Sequence, residues 1–183
     1  MFTQGVVLLV GTLVLTVVSH RSIRQPGTHG YYRFFAWELM LLLYVLNLPT
    51  WYHEMDALHQ VIAGGFFMVS LFMIVTGALQ LRLFGKPDEK RDDVPMMHFE
   101  KTTVLVTNGI YRYIRHPIYG SLFFLCWGFF FKNPSIAGGG IAAIASVFLM
   151  LAARVEEGEC IRFFGDQYLA YMKRSKMLIP FIW

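Results

Sequence analysis

The sequence predicts an all-α integral membrane protein, with about five transmembrane helices followed by short amphipathic helices on the cytoplasmic side. Three observations carry this. Hydrophobic residues make up 56% of the 183-residue chain, and charged residues only 15%. Soluble domains carry about 25% charged residues, so this chain has too few charges to cover a water-facing surface. Apolar runs approaching the roughly 20 residues needed to span a bilayer recur five times. The basic residues, finally, are segregated between alternate runs.

The first run, residues 2–19, is "FTQGVVLLVGTLVLTVVS". It has no basic n-region and no small-residue cleavage site, so it reads as a span and not as a removable signal peptide. The second, residues 34–51, begins "FFAWELMLLLYVLNLP" and is interrupted by Glu38 and Asn47. Their spacing puts these two on opposite sides of a helix, so they do not share a site. Glu38 reads as interfacial. The third run covers residues 60–81. The fourth, residues 118–131, is short for a full crossing and either shelters among neighbours or forms a hairpin with the fifth, residues 136–153, through "KNPS". In the fifth run Gly138, Ala142 and Ser146 recur at four-residue steps, which reads as close helix packing.

Fifteen of the 16 Lys and Arg residues fall in the first loop, the third loop and the C-terminal tail. The first loop holds Arg21, Arg24 and Arg33, and the third runs from Arg82 through Lys90 to Arg115. The fourth loop holds Lys132 alone, and the second, "YHEMDALH", has none. Positive loops stay cytoplasmic. The prediction is therefore an outer N-terminus and a cytoplasmic C-terminus, with residues 1–183 as one membrane-embedded domain: three spans in 1–84, a solvated connector over 85–95, and a motif-bearing part in 98–183.

The same pattern excludes several functions. The net charge of +4 does not mark a nucleic-acid binder, because the basic residues lie in gaps and line no groove-reading helix. Cys126 and Cys160 offer neither a disulfide framework nor metal spacing. His53 and His59 sit six residues apart, off a common helix face, so no metal is expected. No glycine fingerprint follows a strand, which excludes a Rossmann-type site.

Chemistry concentrates in "YRYIRHPIYG", residues 111–120. A residue before proline is pushed out of helical conformation, and proline is favoured at the first helical position. His116 is therefore expected to be the N-cap, with Pro117 opening the fourth helix. Free N–H groups and a partial positive charge at that end, beside Arg115 and His116, suit a carboxylate or phosphate. After the fifth span comes "ARVEEGECIRFFGDQYLAYMKRSKMLIPFIW". Helical spacing puts Arg154, Glu157, Ile161, Phe164, Tyr168 and Tyr171 on one face. Gly165 reads as a helix stop and Asp166 as the cap of a second short helix to about Ser175. Glu156 and Glu157 sit where charge facing lipid is costly, so both are expected to have partners.

"RHPIYG", then "EE", then "FGDQYLAYM" and a final "IPF" together resemble the isoprenylcysteine carboxyl methyltransferase family and its bacterial and archaeal relatives. The membrane type of phospholipid N-methyltransferase shares the pattern. The resemblance covers roughly residues 98–183. It implies a methyltransferase of the bacterial inner membrane that uses S-adenosyl-L-methionine, with the cofactor in a cytoplasm-facing pocket closed by the C-terminal helices. A lipophilic thiol, carboxylate or amine would enter from the bilayer and its lipids. By the same resemblance His116, Tyr119, Glu156 and Glu157 hold the cofactor, Arg115 is the catalytic residue beside the reaction centre, and Tyr168 and Tyr171 belong to the lid. Two alternatives stand against it. Sterol reductases that use NADPH have a similar ending, but they are longer and need basic residues for the extra phosphate. A non-enzymatic membrane scaffold would bind no cofactor.

Overall fold

Helix α1 (Phe2–Ile23) is apolar on every side and buries only Ser19 and Ser22. A helix with that character is solvated by lipid and not by water. In the computed structural model, which describes residues 2–88, 91 and 94–179, α1 is followed by α2 (His29–Asn47), α3 (Leu58–Phe84), α4 (Pro117–Lys132), α5 (Ile136–Phe164) and α6 (Asp166–Met172). Among the described residues there are two isolated β-bridges and no strand. By length and composition α1, α3 and α5 are fit to cross a membrane. Helix α4 is apolar but has 16 residues, roughly 24 Å of rise against a hydrocarbon core of about 30 Å. Helix α2 carries Arg33 and Glu38.

The helices pack in pairs, α3 along α4 and α2 along α5, with α1 leaning chiefly on α2. Gly138 brings α5 against Leu43 of α2, and Ala142 and Ala145 share a buried cluster with Met40 and Leu43. The small-residue stripe therefore serves helix packing. Polar side chains tie helices together where no water competes. Asn47 donates to the Phe129 carbonyl at 2.6 Å, Ser70 to the Ser121 carbonyl at 2.8 Å and Gln60 to the Lys132 carbonyl at 3.1 Å. The Lys132 ammonium in turn donates to the Gln60 side chain. Glu38 accepts from Thr12 of α1 at 2.8 Å, which makes it an interhelical contact.

The structure departs from the sequence reading at five places. Helix α2 starts at His29, because Gly27 turns the chain with φ +88° and Thr28 follows in extended conformation. Arg33 is thus no loop cation: it lies in α2, 5% exposed, paired with Glu100. Helix α5 runs without a break from the fifth apolar run through the acidic motif. Its buried stripe of Leu149, Ala152 and Ala153 turns Arg154 outward, so Arg154 leaves the face shared by its neighbours. Gly165, at φ +61° and ψ −137°, ends α5 and also caps α6, which makes Asp166 the first residue of α6 and ends that helix at Met172. The connector, finally, is not solvated throughout. Asp88 donates to the Lys101 carbonyl and Thr103 to the Gly85 carbonyl, both at 3.0 Å, which folds the segment back on itself with Arg91, Pro95 and Thr102 buried. Lys90 of the third loop, and Pro180 and Phe181 of the final motif, lie outside the described residues.

Candidate active site

His116 is the N-cap of α4, at φ −122° and ψ 63°, and Pro117 is its first residue. The conformation is the non-helical one that a following proline imposes. Both His116 and Arg115 are fixed by the C-terminal segment, which runs parallel to them. Lys176 donates to the Tyr113 carbonyl at 2.9 Å, Arg115 to the Lys176 carbonyl at 2.8 Å and His116 to the Met177 carbonyl at 3.0 Å. Gly120 permits this approach: a Cβ there would meet the Leu178 carbonyl at 3.0 Å and the Met73 methyl at 2.4 Å. Tyr171 of α6 closes the arrangement by donating to the Tyr111 carbonyl.

The acidic pair of α5 faces these residues. Arg115 Nε donates to Glu157 Oε1 at 2.6 Å, with both side chains about one-tenth exposed. The same guanidinium donates to the Met172 carbonyl at 3.3 Å and to the Ser175 carbonyl. One cation therefore holds the acidic motif and the turn after α6 together. His116 lies 3.6 Å from Glu157 and 3.8 Å from Glu156, within ion-pair range but beyond a hydrogen bond. Its Nε2 and the Tyr119 hydroxyl are buried with no hydrogen-bond partner in the protein. An unmade bond at a buried polar atom costs about 1–3 kcal/mol, so two such atoms side by side are out of place in a purely structural core.

Both residues line a pocket of about 740 Å³, counted with its mouth. Of the seven residues singled out in the sequence, six line the pocket: Arg115, His116, Tyr119, Glu156, Tyr168 and Tyr171. The seventh, Glu157, stands behind the wall as the partner of Arg115. Among the described residues no group of three His, Cys, Asp or Glu is placed to hold a metal ion.

The sequence reading missed a second set of charges. Glu100 and Glu159 also line the pocket. Glu159 accepts from the His29 backbone N–H at 3.1 Å and from its Nδ1, and Glu100 accepts from Arg33. Burial opposes charge on Glu100, but the Arg33 guanidinium and His29 overcome it and hold the carboxyl down to about 2. The His29 imidazole sits between the two carboxylates, bonded to Glu159 and 3.7 Å from Glu100. Glu159 follows Glu156 by three residues and so shares its face, a signal present in the sequence. His29 and Arg33 form a similar i, i+4 pair. Glu100 gave no local signal, because only the folding back of the connector brings it there.

The family model for phospholipid methyltransferases matches residues 58–167, more than half of the chain. Among curated proteins, the methanethiol S-methyltransferase of Crocosphaera subtropica is 31% identical over 78 residues, 42% of this chain and 29% of that protein. The protein-S-isoprenylcysteine O-methyltransferase of Homo sapiens is 38% identical over 85 residues, 44% of this chain and 29% of that protein. Its counterpart in Dictyostelium discoideum is 40% identical over 98 residues, 51% of this chain and 36% of that protein. The matches thus cover about a third of these relatives' length or less. No solved structure matches the chain. With the Arg-His-Pro turn, the acidic pair and the aromatic helix α6 gathered at one pocket, and with the family model running through most of the residues that build it, the chain belongs to the phospholipid methyltransferase family.

Proposed function

We propose that this protein transfers a methyl group from S-adenosyl-L-methionine to a lipophilic acceptor at the cytoplasmic face of a membrane. The observation that carries the reading is the pair of unpartnered buried atoms, His116 Nε2 and the Tyr119 hydroxyl, in a pocket that also presents carboxylates. The residues fit the cofactor's chemistry. Glu156 suits an ammonium or ribose hydroxyls, and His116 at the start of α4 suits a carboxylate. Tyr168 and Tyr171 place aromatic rings at the wall, where a sulfonium cation is favoured. When bound, the cofactor supplies an electrophilic methyl group on a positively charged sulfur. The chain's own part is to orient the acceptor, to exclude water with α6 and the C-terminal segment, and to keep the pocket polar on one side. A thiol, a carboxylate and an amine all remain acceptors of the class; the names of the relatives include a thiol and an isoprenylcysteine methyltransferase.

Stabilisation of the purified protein by S-adenosylhomocysteine, and not by NADPH, is the expected result of a thermal shift in detergent. The reverse pattern would replace this reading with a reductase, and no shift with either would favour a scaffold. Incubation of membranes with labelled S-adenosyl-L-methionine and a lipid extract then identifies the acceptor.

The reading places the pocket in the cytoplasm, through five crossings with the N-terminus outside. It rests on the segregation of basic residues. A cysteine introduced at Asp56 should react with an impermeant maleimide from outside, and one at Asp88 only after the membrane is opened. Reaction of both from the same side would break the five-span map.

A further inference from the structure

Four side chains alternate acid and base at the pocket wall and behind it: Glu159 of α5, His29 of α2, Glu100 of the connector and Arg33 of α2. Glu159 takes two bonds from His29, and His29 Nε2, with no hydrogen-bond partner, lies 3.7 Å from Glu100 Oε2. Glu100 is held by Arg33 and by the Met97 N–H at 2.9 Å. His29, Arg33 and Glu159 are 1%, 5% and 3% exposed. The two acids line the pocket and the two bases do not. Both bases lie outside residues 58–167, so this arrangement lies partly beyond the family match.

The chain of charges also fixes the pocket's roof. Met96 and Thr102 on either side of Glu100 line the same pocket. Pro95 reaches Gly30, where a Cβ would lie 3.6 Å from the Pro95 carbonyl. Arg91 donates to the Thr102 carbonyl and stacks on Phe163 of α5 at 3.8 Å. The connector is thus clamped to α5 at one place and to α2 at another. The α2 clamp is ionic and sits next to the two pocket acids.

We infer that His29 and Arg33 are positioning residues for cofactor binding: they hold Glu159 and Glu100 as fixed, charge-balanced walls of the pocket and keep the connector over it. With both acids neutralised from behind, Glu156 is left as the pocket carboxylate whose charge faces the ligand. The inference rests on the cofactor reading given above. Neither base touches the ligand, and their effect passes through Glu100 and Glu159.

The test uses the full-length protein in detergent, with S-adenosylhomocysteine binding by calorimetry and the KM for S-adenosyl-L-methionine as readouts. Wild-type binding is measured first, and its absence would overturn the cofactor reading itself. Given wild-type binding, Arg33→Met takes from the buried Glu100 its guanidinium partner, leaving it the Met97 N–H and His29 at 3.7 Å, and should weaken binding at least about tenfold. The double variant Arg33→Met/Glu100→Met removes both charges and should recover part of the loss, while Arg33→Lys should be milder than Arg33→Met. KM should rise more than kcat falls, because the reacting atoms are untouched. His29→Gln should behave like Arg33→Met through Glu159. Folding is followed by the melting temperature of each variant without ligand. Variants that keep wild-type affinity and KM overturn the inference. So does a double variant no better than the sum of its single changes, or an affinity loss that only tracks the melting temperature.

Discussion

Arg115→Ala is expected to reduce methyl-transfer turnover by about 100-fold or more, equivalent to about 3 kcal/mol of lost transition-state stabilisation. The guanidinium holds Glu157 at 2.6 Å, accepts no substitute for its contacts with the Met172 and Ser175 carbonyls, and lines the pocket as well. Removing it takes the guanidinium from the buried Glu157 carboxylate and leaves only His116, 3.6 Å away; breaking a buried pair costs about 3–5 kcal/mol. The turn after α6 also loses its anchor, so the aromatic wall formed by Tyr168 and Tyr171 loosens. Lysine can restore the charge next to Glu157 but cannot reach two carbonyls and a carboxylate at once. Arg115→Lys should therefore recover stability more than turnover. Measuring melting temperature, turnover and S-adenosylhomocysteine affinity for both variants separates the roles. Full turnover in the lysine variant would reduce Arg115 to an electrostatic anchor, and wild-type stability in the alanine variant would remove the clasp.

Local features were legible in the sequence. The proline rule identified His116 as the cap of α4, and the structure has it there. The apolar runs located the helices, because burial in lipid leaves a signal that depends on composition alone. Boundaries were less clear wherever a polar residue is buried by a distant partner. Arg33 looked like a loop cation because its carboxylate lies far away in sequence, at Glu100. Charge counting does not distinguish a cation at the membrane surface from one neutralised inside the protein. The connector misled for a similar reason. Its alternating charges suggest solvation, but the burial of Arg91 and Thr102 comes from hydrogen bonds that fold the segment back. The C-terminal segment that fixes Arg115 and His116 gave no signal beyond a motif, since a parallel bridge between residues about 60 apart has no local period.

The second large effect concerns the acidic pair, whose members the structure separates. Glu156 lines the pocket with a side chain 27% exposed, while Glu157 points away into Arg115. Under the proposed function, Glu156 meets the cationic end of the ligand and Glu157 acts through Arg115 and His116. Glu156→Gln should therefore weaken S-adenosylhomocysteine binding by about 1.5–3 kcal/mol, the worth of one charge-assisted hydrogen bond, or roughly ten- to a hundredfold in affinity. Its effect on the melting temperature of the free protein should be small, because no close ion pair is broken: His116 Nδ1 is 3.8 Å away. Glu157→Gln should show the opposite balance. It leaves the Arg115 guanidinium with a neutral partner in a buried setting, so stability and turnover should fall before affinity does. Calorimetry and melting curves on the two variants decide the assignment. Equal affinity losses in both would return Glu157 to the ligand's contact shell, and unchanged affinity in Glu156→Gln would remove Glu156 from the cofactor site.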